Sequence, residues 1–125
     1  MHLKARNERG LSESTQWAVL FSLLMLVTLG IIQAGIVLHG RNVAQRAATA
    51  AVGVARGSYG TVAEAEELAS DIARSGGLEA VSVRVTRGAV QATADVNGEA
   101  PAILDIGIGR IHESASAPLE RAVSP

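Results

Sequence analysis

The sequence has no cysteine, few aromatic residues and almost balanced charge, and each of these features excludes a class of function. Without cysteine there is no disulfide framework, no thiolate zinc site and no cysteine nucleophile. Aromatic residues make up 2% of the chain, and 11 Lys and Arg residues balance 12 Asp and Glu residues. Nucleic-acid binding usually needs a basic surface or aromatic side chains on which bases stack, so the composition argues against it.

Patterns typical of catalysis and metal binding are also missing. The histidines His2, His39 and His112 stand apart, and none has a second ligand at the spacing of a zinc-binding helix. Ser114 and Ser116 lack the G-x-S-x-G elbow of a hydrolase nucleophile. We therefore expect a protein that is not an enzyme and that has no metal or other cofactor.

The most informative feature present is a long apolar run. The 22 residues from Trp17 to Leu38 include no Asp, Glu, Lys or Arg. A helix of this length is about 33 Å long, which matches the ~30 Å hydrocarbon core of a bilayer. Its apolar residues occupy every face, as in a helix surrounded by lipid. The run predicts a transmembrane helix.

The alternative is a cleavable signal peptide. Such a peptide usually has a shorter apolar core, followed by a small-x-small cleavage site. Ile32 and Ala34 are a poor match to such a site.

The residues around and within this run indicate its orientation and its contacts. Basic residues precede it (Lys4, Arg6 and Arg9) and follow it (Arg41 and Arg46), and the balance favours a cytoplasmic N-terminus. Gln33 is the one strongly polar residue of the run. It is placed either to bond a neighbouring helix or to be solvated at the outer interface. Gly30 and Ala34 form a small-xxx-small pair, a pattern found where helices pack closely.

The pattern beyond the membrane predicts a small α+β head. The helix is expected to continue to Arg56, with Val43, Ala47, Ala50 and Val54 forming an apolar stripe. Thr61 and Glu64 form a capping box for a second, short helix, and Gly76 and Gly77 end it. Alternating residues then predict a β-hairpin with strands from "AVSVRVT" and "AVQATADV", closed by Asn97, Gly98 and Pro101. A third strand in "RIHESASAPLERA", limited by Pro118, completes a three-stranded antiparallel sheet.

With these elements in order, the chain resembles the TadE-like family of tight-adherence pilus assembly proteins, which are related to type IV pilins. The resemblance lies in "RG" before the anchor, in "GRNVAQRAATAAVGVARG" after it, and in "APAILDIGIGR" followed by "ESASAPLER". It covers most of the chain. It implies a pseudopilin-type subunit with one membrane helix.

The resemblance also implies processing by a prepilin peptidase, which would cut after Gly10 and expose an α-amine at Leu11. Pilin-type signals carry Glu at the fifth position after the cut, where it pairs with a neighbour's amine. This sequence has Thr15 at that position, with Glu13 two residues earlier and Gln16 one residue later. We expect Glu13 to neutralise part of the amine's charge within the same subunit.

These observations divide the chain into a basic cytoplasmic leader (1–10), a transmembrane helix with its extension (11–56) and an extracytoplasmic α+β head (57–125). The function they favour is a non-catalytic, pseudopilin-like structural subunit of a Tad-type pilus or related secretion apparatus in the cytoplasmic membrane. Its expected partners are the membrane, other pilin-like subunits, the pilus machinery and a prepilin peptidase. The alternative is a membrane-anchored binding module that does not assemble. The candidate packing or assembly residues are Glu13, Gln16, Gly30, Gln33, Ala34, Val43, Ala47 and Val54.

Overall fold

The computed structural model describes residues 2–104 and 107–120, with side chains described from Gly10 onward. The elements follow the order α1 (His2–Ala55), α2 (Val62–Ser75), β1 (Glu79–Arg87), β2 (Gln91–Glu99) and β3 (Arg110–Pro118). The strands form one antiparallel sheet in the order β1-β2-β3. The α+β fold class with a long first helix is therefore confirmed.

Helix α1 is continuous over 54 residues and is about 81 Å long at ~1.5 Å per residue. It contains no proline, and Thr15, Ser22 and Thr28 each donate their hydroxyl to the backbone carbonyl four residues earlier. These three hydroxyl groups are thus satisfied within the helix. The predicted leader is helical from His2 and continuous with the rest of α1.

Helix α2 begins and ends where the sequence predicts. The Thr61 hydroxyl accepts a hydrogen bond from the Glu64 backbone N–H at 3.1 Å, and Gly76 is the C-cap. Gly77 follows with φ +96, a left-handed conformation that glycine adopts without steric cost. The buried residues of α2 are Ala65, Ala69 and Ala73, whereas Leu68 is 38% exposed. These three alanines, one turn apart, contact the rest of the core together with the partly buried Val62 and Ile72.

The predicted hairpin is present, but its second strand is longer than expected. Strands β1 and β2 pair in a register that places Val83 opposite Val96 and Val85 opposite Ala94. Asn97 and Gly98, expected to close the hairpin, are instead paired residues within β2. Gly98 is buried opposite Ile111, and a Cβ on it would lie 3.3 Å from Leu78 Cβ. The glycine therefore allows a close approach within the sheet, and the strand does not turn there.

Strand β3 is an edge strand that ends at Pro118, as predicted, and Pro118 is paired with Gln91. After it, the chain returns to the end of α1, where the Glu120 N–H donates to the Arg56 carbonyl at 3.0 Å. At the other end of the strand, a Cβ on Gly40 of α1 would collide with the Ile111 side chain. The second half of α1 therefore runs along β3 and the two residues after it, from Ile111 to Glu120.

The core lies between α1, α2 and the sheet and is built largely from alanine and valine. Its α1 members repeat in pairs every four residues. These pairs comprise Val43, Ala44, Ala47, Ala48, Ala51, Val52 and Ala55, and Val37 joins the core about one and a half turns before them. The predicted stripe is correct for Val43 and Ala47, but Ala50 and Val54 are only half-buried. Both α2 and the sheet pack on α1. Its buried face is therefore centred between the two residues of each buried pair, such as Ala47 and Ala48.

Candidate membrane and assembly site

The head covers only one end of α1, and this divides the described side chains of the helix into two parts. We call Leu11–Ile32 the bare half and Gln33–Ala55 the covered half. In the bare half, large apolar side chains are exposed on all sides, including Phe21 (65%), Leu24 (62%) and Ile31 (68%). Leu29 and Gly30 are half-buried, and no residue from Leu11 to Leu29 is fully buried. Such a surface is suited to lipid or to other apolar helices.

The bare half is long enough to cross a bilayer. Its 22 residues make about 33 Å of helix, against ~30 Å of hydrocarbon, and Glu13 is its one charged residue. Helix α1 is the element in the described part of the chain that is long and apolar enough to span a membrane. The sequence run placed the span at Trp17–Leu38, but Gln33 and Val37 at its end are buried under the head. The surface free to meet lipid is therefore displaced toward the N-terminus.

Gln33 is fully buried at the boundary between the two halves. Its side-chain oxygen Oε1 accepts hydrogen bonds from the backbone N–H of Ile103 at 2.7 Å and of Leu104 at 3.2 Å. Its Nε2 donates to the carbonyl of Pro101 at 3.3 Å. Gln33 thus satisfies three backbone groups of a loop that lies about 70 residues further along the chain. Gln33 therefore bonds a loop of its own chain, whereas the sequence predicted either a bond to a neighbouring helix or solvation at the outer interface.

Gly30 and Ala34, the small-xxx-small pair, lie on either side of this boundary. Gly30 is half-buried, Ala34 is exposed, and a Cβ on Gly30 would meet nothing within 4 Å. Nothing within the described chain therefore requires glycine at position 30. The pair remains open to a partner helix, and its role in packing stays a prediction.

The residues around the predicted cleavage bond are exposed on the helix. Gly10, Leu11, Glu13 and Gln16 all face outward, and the Thr15 hydroxyl donates to the Leu11 carbonyl at 2.8 Å. Positions two residues apart on a helix are separated by about 200° around its axis. The side chains of Leu11 and Glu13 therefore lie on different faces of the helix, and neutralisation of an α-amine at Leu11 by Glu13 stays a prediction. Gly10, Leu11, Glu13 and Gln16 are thus accessible, and their role in processing and assembly stays a prediction.

The remaining candidate assembly residues belong to the core of the head. Val43 and Ala47 are buried, and Val54 is half-buried. Val43 lies directly beneath Gly76, where a Cβ would collide with it. Gly60 is similarly close to the backbone carbonyl of Val54. These side chains join α1 to α2 and to the turn between the helices, and their role in assembly stays a prediction.

An apolar groove lies beside the boundary, between α1 and the end of α2. It has a volume of about 390 Å³ and is lined by Ile32, Gly35, Ile36, His39, Gly40, Gly76, Gly77, Leu78 and Pro101. His39 Nε2 lies 3.2 Å from the Gly76 carbonyl, so a proton on this nitrogen would cap the C-terminus of α2. The groove continues the exposed apolar surface of the bare half onto the head.

The contact of Gln33 with the loop is the part of the site that sequence reasoning missed. The available signal was a lone amide in an apolar helix together with an apolar, glycine-containing segment, "PAILDIGIGR". Because a buried amide needs partners, the two features could have been paired, but nothing local indicates which backbone groups Gln33 meets.

Comparison with known proteins agrees with the geometry of α1. Residues 13–52, about a third of the chain, match the model of the family described as TadE-like protein. The matched segment contains most of the bare half and most of the covered half. No curated protein and no solved structure matches the chain. The chain therefore carries a TadE-like family domain at residues 13–52, with the long apolar helix consistent with a pilin-like component of a Tad pilus. Such families are generally non-catalytic.

Proposed function

We propose that this protein is a non-catalytic, pseudopilin-like structural subunit of a Tad-type pilus or a related secretion apparatus. The observation that carries the proposal is the bare half of α1, an exposed apolar helix that lies largely within the TadE-like match. A head that covers only the second half of the helix leaves the first half for lipid and for the helices of other subunits.

The proposed arrangement places the N-terminus in the cytoplasm and the head outside, with one membrane crossing. The basic residues before the bare half support this orientation through the positive-inside rule. Protease added to intact spheroplasts should remove the residues beyond about Gly57. Protection of the head until the cells are lysed would reverse the proposed topology.

Processing by a prepilin peptidase at Gly10–Leu11 is part of the same proposal. Gly10 is exposed and no side chain lies within 4 Å of the place where its Cβ would be. The Gly10–Leu11 bond lies within helix α1 in this structure. The intact mass of the purified chain, with and without the co-expressed cognate peptidase, measures this step. A mass that still includes Met1–Gly10 in the presence of the peptidase would refute processing.

Assembly is the decisive test of the proposed function. A photo-crosslinking amino acid at Ile31, which is 68% exposed in the bare half, should link the chain to other subunits with pilin-like N-terminal helices. The links should disappear when the secretion ATPase of the apparatus is deleted. The same probe at Val90, which is 67% exposed on the head, is the matched control. Chains that remain unlinked at Ile31 in cells with the complete apparatus would favour the membrane-anchored binding module.

A further inference from the structure

The covered half of α1 carries its charge on the side that faces away from the head. We call the exposed residues of this side the basic face, and they are Arg41, Asn42, Gln45, Arg46 and Thr49. They lie two residues from the buried pairs, about 200° around the helix axis. No Asp or Glu occurs from Ser14 to Ala63, so the two arginines have no acidic neighbour along this part of α1.

Helix α2 carries the opposite charge on its own outward side. We call its exposed residues Glu64, Glu67, Leu68 and Asp71 the acidic face. They lie away from the alanines through which α2 packs on the core, and Leu68 adds an apolar side chain among the three carboxylates. The ion pairs among the described residues are Arg56–Glu120 and His112–Asp95. Within that part of the chain, neither face neutralises its own charges.

The two faces point in different directions on one molecule, because each lies on the outer side of a pair of packed helices. Helix α2 runs back along α1 toward the bare half: Gly60, before it, lies against Val54, and Gly76, at its end, lies against Val43. One copy cannot bring its own two faces together. The basic face of one copy can instead meet the acidic face of the next, and such a contact between unlike surfaces continues from copy to copy without closing on a pair.

We propose that the basic face of one copy docks on the acidic face of a second copy in the assembled apparatus. Charge complementarity selects this occupant, since α1 offers arginines without acids and α2 offers carboxylates around an exposed leucine. The inference deepens the proposed function and rests on it. Exposed ion pairs contribute little individually, but anchors in one membrane give all copies the same orientation and a high local concentration.

The levels of the charges along the helix axis can be counted from the contacts at the two ends of α2. Counted from Gly60 and from Gly76, Asp71 lies level with about residues 43–48 of its own α1. Counted in the same way, Glu67 lies level with about residues 47–52. The two carboxylates are therefore spaced along the axis nearly as the two arginines of the basic face are.

This spacing favours an axial offset between the two copies. At equal heights, Arg46 would lie beside Asp71, but Arg41 would lie near Arg74, which is exposed at the end of α2 and repels it. Raising the copy that offers the basic face by one helical turn, about 5 Å, places Arg41 beside Asp71. The same offset places Arg46 beside Glu67. The staggered contact has two ion pairs and no repulsion, so each added copy stands one turn further along the axis.

The absence of cysteine makes the contact directly testable by disulfide crosslinking. Gln45→Cys places a thiol on the basic face, and Leu68→Cys places one on the acidic face. Oxidation of full-length chains that carry both, in cells with the complete apparatus, should give a ladder of dimers, trimers and longer products. Each single variant alone should stay monomeric. Gln45→Cys with Val90→Cys is the matched control without a ladder, since Val90 is exposed but lies beside Leu119 at the far end of the head.

Charge reversal tests whether the ion pairs hold the two copies together. Arg46→Glu and Glu67→Arg should each weaken the ladder several-fold, and the two changes combined should restore it, which also shows that the variants fold. Arg84→Glu makes the same reversal on the exposed face of the sheet and should leave the ladder unchanged. Rescue of Arg46→Glu by Asp71→Arg, in place of Glu67→Arg, would overturn the stagger.

Other outcomes would overturn the docking contact itself. Dimers from Gln45→Cys alone, without longer products, would mean a closed contact between two basic faces. A ladder that persists at full strength in Arg46→Glu would mean that these charges do not hold the copies together. Absence of the ladder, with the photo-crosslinks at Ile31 still present, would remove this contact and leave the proposed function intact. Loss of both kinds of link would remove the proposed function as well.

Discussion

The two halves of α1 form one uninterrupted helix but are built from different side chains. The bare half uses leucine, phenylalanine, methionine and isoleucine on all faces, and nearly all of them are exposed. Alanine is the commonest residue at the buried positions of the covered half, with exposures of 0% at Ala44, Ala47, Ala48 and Ala51. The outer faces of the covered half are polar, with Arg41, Gln45 and Thr49 exposed.

This difference shows that side-chain size along the helix follows what surrounds it. Lipid adapts its shape to large side chains, so the bare half needs only to be apolar and long. The head is small and packs on α1 through a second helix and a sheet, and alanine lets these backbones approach closely. Apolar character alone would not separate the halves, since both are rich in apolar residues. Size and the distribution of polar residues around the helix separate them.

The strongest test of the comparison is a charge in the bare half. Leu26→Arg should lower membrane insertion, because an arginine near the centre of a span costs about 2.5–3.5 kcal/mol on insertion scales. Thr49→Arg is the control, since Thr49 is exposed in the covered half and faces away from the core. Recovery in the carbonate-resistant membrane fraction measures the effect. If both variants are recovered as fully as the unmodified chain, the bare half is not the anchor.

A smaller effect is expected from a large side chain in the covered half. Ala47→Leu should destabilise the head by about 1–3 kcal/mol, because Ala47 is fully buried between packed elements and has no room for three further carbons. Ala34→Leu makes the same change at an exposed alanine of the same helix and should change stability by less than ~0.5 kcal/mol. Denaturant unfolding of the full chain in micelles, followed by amide exchange in β2, gives both values. Equal losses at the two positions would contradict the assignment of Ala47 to the buried face and Ala34 to the exposed face of the covered half.

The smallest expected effect lies at the start of α2, which holds the head on the covered half. Thr61→Ala removes the side-chain oxygen that accepts from the Glu64 N–H and should cost about 1 kcal/mol. Thr49→Ala is the matched change within α1, where alanine's higher helix propensity should raise stability by a few tenths of a kcal/mol, about 0.5 at most. Amide exchange in the first turn of α2 reports the loss. A Thr61→Ala chain as stable as the unmodified one would show that the cap contributes nothing to the head.

The sequence by itself determined the elements of this protein and the apolar character of the first half of α1. Local signals were sufficient because each reflects interactions within a few residues. They include the uncharged run, the capping Thr61, the Gly76–Gly77 stop and the alternation of valines in β1. The same kind of signal predicted that Val43 and Ala47 face the core. It was wrong for Asn97 and Gly98, because pairing with β3 extends the strand through residues that usually form turns.

Only the tertiary structure decided where the head ends on α1 and therefore which residues remain free for lipid or partners. The partners of Gln33 lie 68 to 71 residues away in the chain, and no periodicity connects an amide in a helix with the backbone of a distant loop. Sequence patterns identify which face of a helix avoids water, but lipid, another subunit and the chain's own head all satisfy that requirement equally. The sheet and α2 pack on the alanine positions of α1, because backbones can approach closely only where the side chains are small. This packing determines which part of α1 the chain's own head covers.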